Sequence, residues 1–455
     1  MTGPLVYKFG GSSVADAERV RHVARLIVEA ERTPVVVVSA LGGVTDRLIG
    51  TAVAAGGALD TATMEELRAR HREVLEGVCE DPDERTRLAS EMDEALARLE
   101  RAGGGGPREA AELLDAVAAV GEDLSARLVA CAVRGLGRDA CVVDAREVVR
   151  TDDRFGRARP LDEETRELAR GRLLPLIERG CVPVVQGFVG ATSDGRTTTL
   201  GRGGSDYTAA VLGAALGAEV VHVWTDVDGI LSADPRAVAH PRILCEMGYE
   251  EAVELAYFGA KVIHPGAAKH AVSQGVPLRI RNTFRPEATG TLILSDRRGG
   301  ARIAAVAYKP RVALIKVRSH PSALQYGFLA RVFEVLGRHE VPVDLVATSH
   351  SSTAFTIDER EELGDLAREL SEFSDVEVSR GLATITVVGH GLMEEPGVDA
   401  LVFWAVERTP VHLISQASDV SLSFVVSESD ASDLVRKLHL TLIELRDEEG
   451  RKDVE

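Results

Sequence analysis

Short apolar runs alternate with helical stretches along the first 300 residues of this 455-residue chain, and this alternation constrains its fold more than any other feature. The runs are rich in valine and isoleucine and nearly continuous, which is typical of strands with both faces buried. They lie at 5–9, 34–39, 140–143, 183–185, 220–224 and 277–280. The pattern predicts a three-layer α/β fold in which helices cover both faces of a mainly parallel central sheet.

A glycine-rich segment, KFGGSSV at 8–14, follows the first of these runs and leads into a stretch whose composition favours a helix. A turn between a strand and a helix N-terminus places backbone N–H groups where an anion can bind. Lys8 would add mobile positive charge there. The alternative is a solvated lysine at a strand end.

A second glycine-rich segment, GRTTTLGRGGSDYT at 195–208, combines hydroxyl side chains with one cation, Arg202, and one carboxylate, Asp206. Glycines let backbone N–H groups turn toward an anion, but the spacing is not that of a P-loop. Alone, the segment could be a surface turn. Together, the two segments predict a phosphoryl-transfer site.

Two such loops without a P-loop lysine resemble the amino acid kinase family, and the aspartokinases in particular. The resemblance rests on KFGGSSV at 8–14, VSA at 38–40, GVT at 43–45, GE at 121–122, QGF at 186–188, GRTTTLGRGGSDYT at 195–208, WTDVDGI at 224–230, DPR at 234–236 and FGAKVIHP at 258–265. It implies ATP-dependent phosphorylation of the L-aspartate side chain to 4-phospho-L-aspartate, the first step toward lysine, threonine and methionine.

An aspartate side chain is already ionised at neutral pH, so the nucleophile needs no strong base. It needs relief of its repulsion from the polyphosphate, and Lys8 is the candidate for that task. The resemblance implies that Asp206 orients Lys8, and that Mg²⁺ is held largely by nucleotide oxygens and water. It also implies a set of nucleotide-binding residues: Gly10, Gly11, Ser205, Asp226, Arg236 and Lys261.

Recognition of an amino acid requires a cation for its α-carboxylate and a carboxylate for its α-ammonium. The resemblance gives these roles to Arg202 and Glu122, with Ser39 and Thr45 lining the same pocket. Taken without the resemblance, Glu122 would more simply be a glutamate on a helix surface. Leu231 stands where relatives often carry tyrosine, so a stacking contact beside adenine is expected to be missing.

The chain repeats itself after a polar, glycine-rich boundary at 296–300. VALIKV at 312–317 recurs as LATITV at 382–387, an offset of about 70 residues that indicates duplicated units. The sequence pattern of each unit predicts the order strand, helix, strand, strand, helix. Each unit resembles a ferredoxin-like (βαββαβ) ACT unit. The predicted domains are a kinase domain at 1–300 and ACT units at 301–383 and 384–455.

The ACT resemblance implies an amino-acid effector near Val343, Asp344 and Ser349, and a homodimer or tetramer. The alternative is a pair of dimerisation modules without a ligand. Where relatives commonly read Thr-Ser-Glu, this chain has His350 after Ser349, which removes an acceptor for an ammonium group. The stretch at 322–326 also differs from lysine-binding relatives. We therefore expect weakened feedback or a different effector.

Composition and charge narrow the range of functions that this chain can have. A net charge of −18 and a pI near 5.2 oppose binding to nucleic acid or anionic lipid. The five scattered cysteines suggest neither a disulfide framework nor a zinc site. No signal-like or membrane-spanning run is evident, which predicts a cytoplasmic protein. Two other functions stay open: a kinase acting on another acid such as glutamate, and an amino-acid sensor with a vestigial kinase half.

Overall fold

The computed structural model describes residues 3–54, 60–100, 107–259, 263–295, 303–320, 327–359, 363–392 and 397–444. The chain divides into two compact units. The first consists of Met1–Ile230, Cys245–Tyr249 and Val262–Arg297, and the second of Leu231–Leu244, Glu250–Lys261 and Arg298–Glu455. Among the described residues, every helix is too short or too polar to cross a bilayer.

The first unit is built on a sheet of eight strands with the order β3-β4-β2-β1-β7-β9-β10-β8. The strands of this unit, including the separate β5–β6 pair, are β1 Leu5–Phe9, β2 Val35–Val38, β3 Ala140–Val143, β4 Val182–Gln186, β5 Val189–Ala191, β6 Thr197–Thr199, β7 Val220–Thr225, β8 Glu246–Gly248, β9 Leu278–Asn282 and β10 Thr291–Leu294. All pairs in the large sheet are parallel except β9 with β10. The predicted strands and mainly parallel sheet are confirmed.

Helices connect these strands, as parallel pairing requires. They are α1 Ala17–Val28, α2 Val44–Ala54, α3 Thr61–Val78, α4 Pro82–Glu100, α5 Pro107–Gly135, α6 Ala145–Val148, α7 Asp162–Glu178, α8 Gly204–Leu216 and α10 Pro265–Ser273. Helix α9, Tyr249–Phe258, belongs to the second unit from Glu250 onward. A 3₁₀ turn at Gly11–Val14 follows β1. Since β1 lies between β2 and β7, the carboxyl end of β1 is at the middle of the sheet, where ligands of open α/β sheets bind.

The charge pattern of residues 64–99 by itself is typical of a solvated helical hairpin, and this region forms α3 and α4. One face of each helix is apolar and buried, with Leu67 on α3 and Leu96 on α4 in the same core as β1. His71 is also fully buried on α3, and its Nδ1 lies 2.7 Å from the Leu67 carbonyl oxygen. The hairpin is therefore part of the core as well as of the surface.

His71 makes stability depend on pH. Burial lowers the pKa of His71 from its usual 6.5 to about 4, so the neutral ring stabilises the fold fully above pH 6.5. That stabilisation is lost as the pH falls toward 4, by about 3 kcal/mol in all. In His71→Phe we expect the difference in unfolding free energy between pH 7 and pH 4.5, measured with urea, to shrink by about 2 kcal/mol. Exposed His240→Gln is the control, and equal changes in both variants would contradict the assignment.

The second unit contains a six-stranded antiparallel sheet with the order β12-β13-β11-β14-β16-β15. Its strands are β11 Ile303–Ser319, β12 Val346–Thr348, β13 Ser352–Asp358, β14 Ser374–Gly389, β15 Leu413–Ser418 and β16 Ser421–Ser427. Its further helices are α11 Phe328–Arg338, α12 Leu363–Ser371, α13 Val398–Val406 and α14 Glu428–His439, followed by a π-helical turn at Leu440–Glu444.

Two long strands, β11 and β14, are shared by two modules. The later half of β11 pairs with the early half of β14 and packs with α11 and α12 around one core. The early half of β11 pairs with the late half of β14 and packs with α13 and α14 around another. The duplicated ferredoxin-like units are thus confirmed. Their boundaries at 383 and 384 stay a prediction, since β14 runs unbroken from 374 to 389.

Candidate active site

A cavity of about 770 Å³ in the first unit opens at the carboxyl ends of β1 and β2. Most of the residues predicted for catalysis and binding line it: Lys8, Gly11, Ser39, Thr45, Glu122, Arg202, Ser205 and Asp206. They come from four separate parts of the chain. The structure thereby brings together side chains that the sequence motifs predicted one by one.

Lys8 and Asp206 form an ion pair inside this cavity. Lys8 Nζ lies 2.6 Å from Asp206 Oδ1, and the two side chains are 11% and 13% exposed. At this distance the ammonium and the carboxylate are in direct contact. A charge pair so little exposed to water is weakly screened. Asp206 therefore fixes the position of the ammonium group on the floor of the cavity.

The N-terminus of α8 faces the same space. Gly203 precedes the helix with a φ of 69°, and a Cβ there would lie 2.3 Å from the Cβ of His264. Glycine is therefore required at this position by both backbone angle and space. Ser205 and Asp206 lie in the first helical turn, where free N–H groups and the helix dipole favour an anion.

Glu122 is the buried carboxyl of the cavity. It lies on α5 and is 2% exposed, and its Oε1 accepts a hydrogen bond of 3.2 Å from Thr45 Oγ1. Burial raises the pKa of Glu122 to about 8, and hydrogen bonds from the Ala40 backbone and from Thr45 offset part of that effect. Its Oε2 has no hydrogen-bond partner among the described residues. A buried carboxyl with a free oxygen at a cavity wall is suited to a cationic ligand.

The remaining predicted residues differ in their surroundings. Arg202 is exposed at the cavity mouth, and the backbone N–H of Ser39 donates to Phe9 O at 3.1 Å, which joins the ends of β1 and β2. Gly10 does not line the cavity, although a Cβ there would lie 3.4 Å from Lys8 Nζ. Asp226 follows β7, is exposed, and accepts a 3.3 Å hydrogen bond from Thr225.

Besides Gly10 and Asp226, two more of the predicted nucleotide-binding residues are not among those described as lining this cavity. Arg236 belongs to the second unit, where its side chain is 82% exposed and pairs with Asp234 at 2.6 Å. Lys261 lies outside the described residues. Their roles stay predictions.

Two residues of the cavity wall were missed by the sequence analysis. Asp115 is 3% exposed and accepts hydrogen bonds from Gly156 N at 2.9 Å and from Thr199 N at 2.8 Å, so it joins α5 to the turn at Gly156 and to the end of β6. The sequence feature that could have identified Asp115 is a carboxylate among apolar residues on one helix face. Phe188 has a φ of 70°, a strained angle for a bulky side chain, and its N–H donates to Thr208 Oγ1 at 2.9 Å.

The fit between Gly187 and the start of α8 gives a direct test of the cavity. A Cβ on residue 187 would lie 2.6 Å from Ser205 Cβ and 2.9 Å from Ser205 Cα, so alanine must displace the helix N-terminus. In Gly187→Ala we expect kcat/KM for the phosphoryl donor to fall by about 10- to 100-fold. Gly171→Ala is the control, since its Cβ meets nothing within 4 Å. An unchanged kcat/KM in Gly187→Ala would contradict this role for α8.

The described residues around the cavity do not form a set of three metal ligands, so a Mg²⁺ ion would have to be held by phosphate oxygens and water. Within the described ranges, the one set of three thiol or carboxylate groups close enough to share an ion is Cys79, Glu84 and Cys131. This set lies outside the cavity, and Arg134 pairs with Glu84. Thiolates are moreover poor ligands for Mg²⁺. At the cavity, Asp206 is already paired with Lys8.

The predicted effector residues lie in the second unit in two different settings. Ser349 lines a cavity of about 410 Å³ and hydrogen-bonds Ser352 Oγ at 2.7 Å. Asp344 has a side chain only 4% exposed, and the carbonyl of Val343 accepts a 3.4 Å hydrogen bond from Tyr257. Neither Val343 nor Asp344 lines the cavity of Ser349.

The fold and the cavity define an amino acid kinase with an appended regulatory unit. Residues 3–282 match the model of the amino acid kinase family, and residues 385–442 match an ACT domain. Lysine-sensitive aspartokinase 3 of Escherichia coli is 36% identical over 98% of this chain and 100% of its own length. Aspartokinase 2 of Bacillus subtilis is 31% identical over 96% and 97%.

Solved structures agree with these relatives. E. coli aspartokinase III in complex with aspartate and ADP superposes with a TM-score of 0.78, at 35% identity, over 96% of this chain and 99% of that one. The same enzyme with lysine and aspartate gives 0.83 at 36% identity over 97% and 99%. The chain therefore belongs to the aspartokinases of the amino acid kinase family.

Proposed function

We propose that this chain transfers the γ-phosphoryl group of ATP to the side-chain carboxylate of L-aspartate, which gives ADP and 4-phospho-L-aspartate. The Lys8–Asp206 ion pair carries the proposal, because it places a fixed cation in a cavity that also holds a buried carboxyl and an arginine. We assign this step to the pathway toward lysine, threonine and methionine. The catalytic domain is 1–300, followed by regulatory units at 301–383 and 384–455.

In the proposed step an oxygen of the aspartate carboxylate attacks the γ-phosphorus. The bond from phosphorus to the bridging oxygen breaks, and ADP leaves with its electron pair. Lys8 offsets the repulsion between the two anions and stabilises charge on the group in transfer. The N-terminus of α8 and the glycines at 10 and 11 hold phosphate oxygens. Mg²⁺, when bound to the nucleotide, neutralises part of the phosphate charge.

The two ends of the acceptor need opposite partners. Glu122 receives the α-ammonium through its unpaired Oε2, and Arg202 binds the α-carboxylate. Ser39 and Thr45 complete the pocket wall. Asp226, Arg236 and Lys261 are proposed for the nucleotide on the strength of the motifs that contain them.

Trapping of the acyl phosphate by hydroxylamine tests the reaction. With ATP, Mg²⁺ and hydroxylamine we expect hydroxamate to form with L-aspartate and to stay at background with L-glutamate. Product with glutamate alone would contradict the choice of substrate. Product with neither acid would favour the sensor function.

We further propose that feedback by lysine is weakened in this chain. His350, beside Ser349, offers no carboxylate to an effector's ammonium group. Isothermal titration with lysine and with threonine tests the proposal, and tight binding of lysine would contradict it.

We also propose a homodimer formed through the ACT units. Large apolar side chains are exposed on the second unit, among them Phe403 at 47% and Trp404 at 56%. Sedimentation velocity tests this assembly, including a further step to a tetramer. A monomer at micromolar concentration would contradict the proposal.

A further inference from the structure

Asp344, in the second unit, is a buried carboxylate that already has its counter-ion. Its side chain is 4% exposed, and its Oδ2 lies 2.6 Å from Lys309 Nζ on β11. Its Oδ1 accepts a 3.0 Å hydrogen bond from the hydroxyl of Tyr257 on α9. Both oxygens of Asp344 are thus occupied by side chains of the same chain.

Lys309 is held from three sides. Besides Asp344, its Nζ contacts Asp358 Oδ1 at 2.9 Å, and it lies 5.4 Å from the centre of the Tyr257 ring. Burial lowers the pKa of Lys309, but the bonds to the two carboxylates outweigh it and the pKa is raised. The group is therefore a permanent cation. Two carboxylates and an aromatic face around one ammonium form an arrangement that proteins use to bind ammonium ligands.

We propose that Lys309 is a tethered ligand, whose ammonium group holds the position on Asp344 that the ammonium group of a free amino acid would otherwise take. A free ligand can bind Asp344 in this way only by displacing Lys309. Since Lys309 is part of the chain, its effective concentration at Asp344 is high, and millimolar ligand competes poorly. The position on Asp344 is thus occupied by Lys309, a side chain of the same module.

The same contacts fix α9 to the sheet of the second unit. Tyr257 contacts Asp344 directly, and the carboxyl of Glu254 on α9 accepts a hydrogen bond from Ser421. At the end of α9, a Cβ on Gly259 would lie 2.9 Å from the carbonyl oxygen of Tyr308, which shows how closely the two backbones approach. Occupation of Asp344 by Lys309 therefore stabilises one arrangement of α9 on this sheet. The effect of this arrangement on feedback inhibition rests on the proposed function. The tests below measure binding and stability and do not depend on catalysis.

Chemical rescue tests the tethered ligand. Lys309→Ala removes the three outer methylenes and the ammonium, and n-propylammonium has the same atoms. In the full-length Lys309→Ala variant we expect a lowered melting temperature that n-propylammonium chloride raises by about 2 °C or more relative to equal sodium chloride. The wild type and Lys316→Ala, a variant of the same strand, should show no such difference. Equal responses in all three proteins, or none in Lys309→Ala, would overturn the proposal.

A double variant covers the case in which Lys309→Ala fails to fold. Asp344→Asn replaces the buried carboxylate by a neutral amide, which needs no counter-ion. We expect Lys309→Ala/Asp344→Asn to be better folded and to melt at a higher temperature than Lys309→Ala alone, and to be insensitive to n-propylammonium. A double variant no more stable than Lys309→Ala would show that Lys309 acts by packing alone, and would overturn the proposal.

Discussion

Replacement of Lys8 by alanine is expected to lower kcat for aspartate phosphorylation by about 1,000-fold or more, because it removes the fixed cation of the cavity. Lys8 is little exposed and lies 2.6 Å from Asp206, whereas Arg202, the other cation of the described cavity wall, is exposed and is assigned to the α-carboxylate of the substrate. KM for aspartate should change far less, since Lys8 is proposed to act on charge that develops during transfer. Hydroxamate formation at saturating substrates measures kcat.

Two further variants make this result specific. Lys269→Ala removes an exposed lysine of α10 and should leave kcat unchanged. Asp206→Asn keeps the shape but releases the ammonium, and should lower kcat by about 10- to 100-fold through loss of orientation. A Lys8→Ala enzyme within tenfold of the wild type would show that the cavity uses another cation.

Glu122→Gln is expected to raise KM for aspartate by about 100-fold at pH 8, since an amide cannot neutralise the α-ammonium in a buried site. Glu122 is 2% exposed, and its free Oε2 is the acceptor proposed for that group. KM for ATP should change little. Steady-state kinetics with each substrate varied in turn separate the two effects.

The pH dependence gives a second readout of the same residue. The pKa of Glu122 is raised to about 8 by burial, so below that pH the free enzyme holds the carboxyl protonated. Binding of an ammonium requires its ionisation, so KM for aspartate should fall by about tenfold per pH unit between pH 6 and 7.5 and level off near 8. In Glu122→Gln the profile should be flat over this range.

The control for Glu122 is Glu163→Gln, whose carboxylate is 83% exposed on α7. It should retain both the KM and the pH profile of the wild type. A sloping profile that survives in Glu122→Gln would assign the titration to another group and remove Glu122 from the proposed ammonium site.

Much of the architecture could be predicted from local patterns. The valine-rich runs gave β1, β2, β3, β4, β7 and β9, because a strand buried on both faces must be apolar at successive positions. The short strands β5, β6, β8 and β10 were missed, since they lack the valine-rich runs that mark the equally short β2 and β3. The internal repeat predicted two modules, but β11 and β14 are shared between them, and sharing depends on pairing rather than on spacing.

The sequence by itself determined three features of this protein. Its glycine-rich segments predicted the two anion-binding loops, its apolar runs predicted the parallel sheet, and the order of its motifs established the family resemblance. Tertiary structure alone decided what surrounds each charge. Glu122 is interpreted from the sequence alone as a surface residue, but in the fold it is buried, which raises its pKa, and it is bonded to Thr45, 77 positions away. Asp115 joins Thr199 across 84 positions, and Asp344 is neutralised by Lys309 across 35. Burial and ion pairing arise between residues distant along the chain, and local spacing does not encode such contacts.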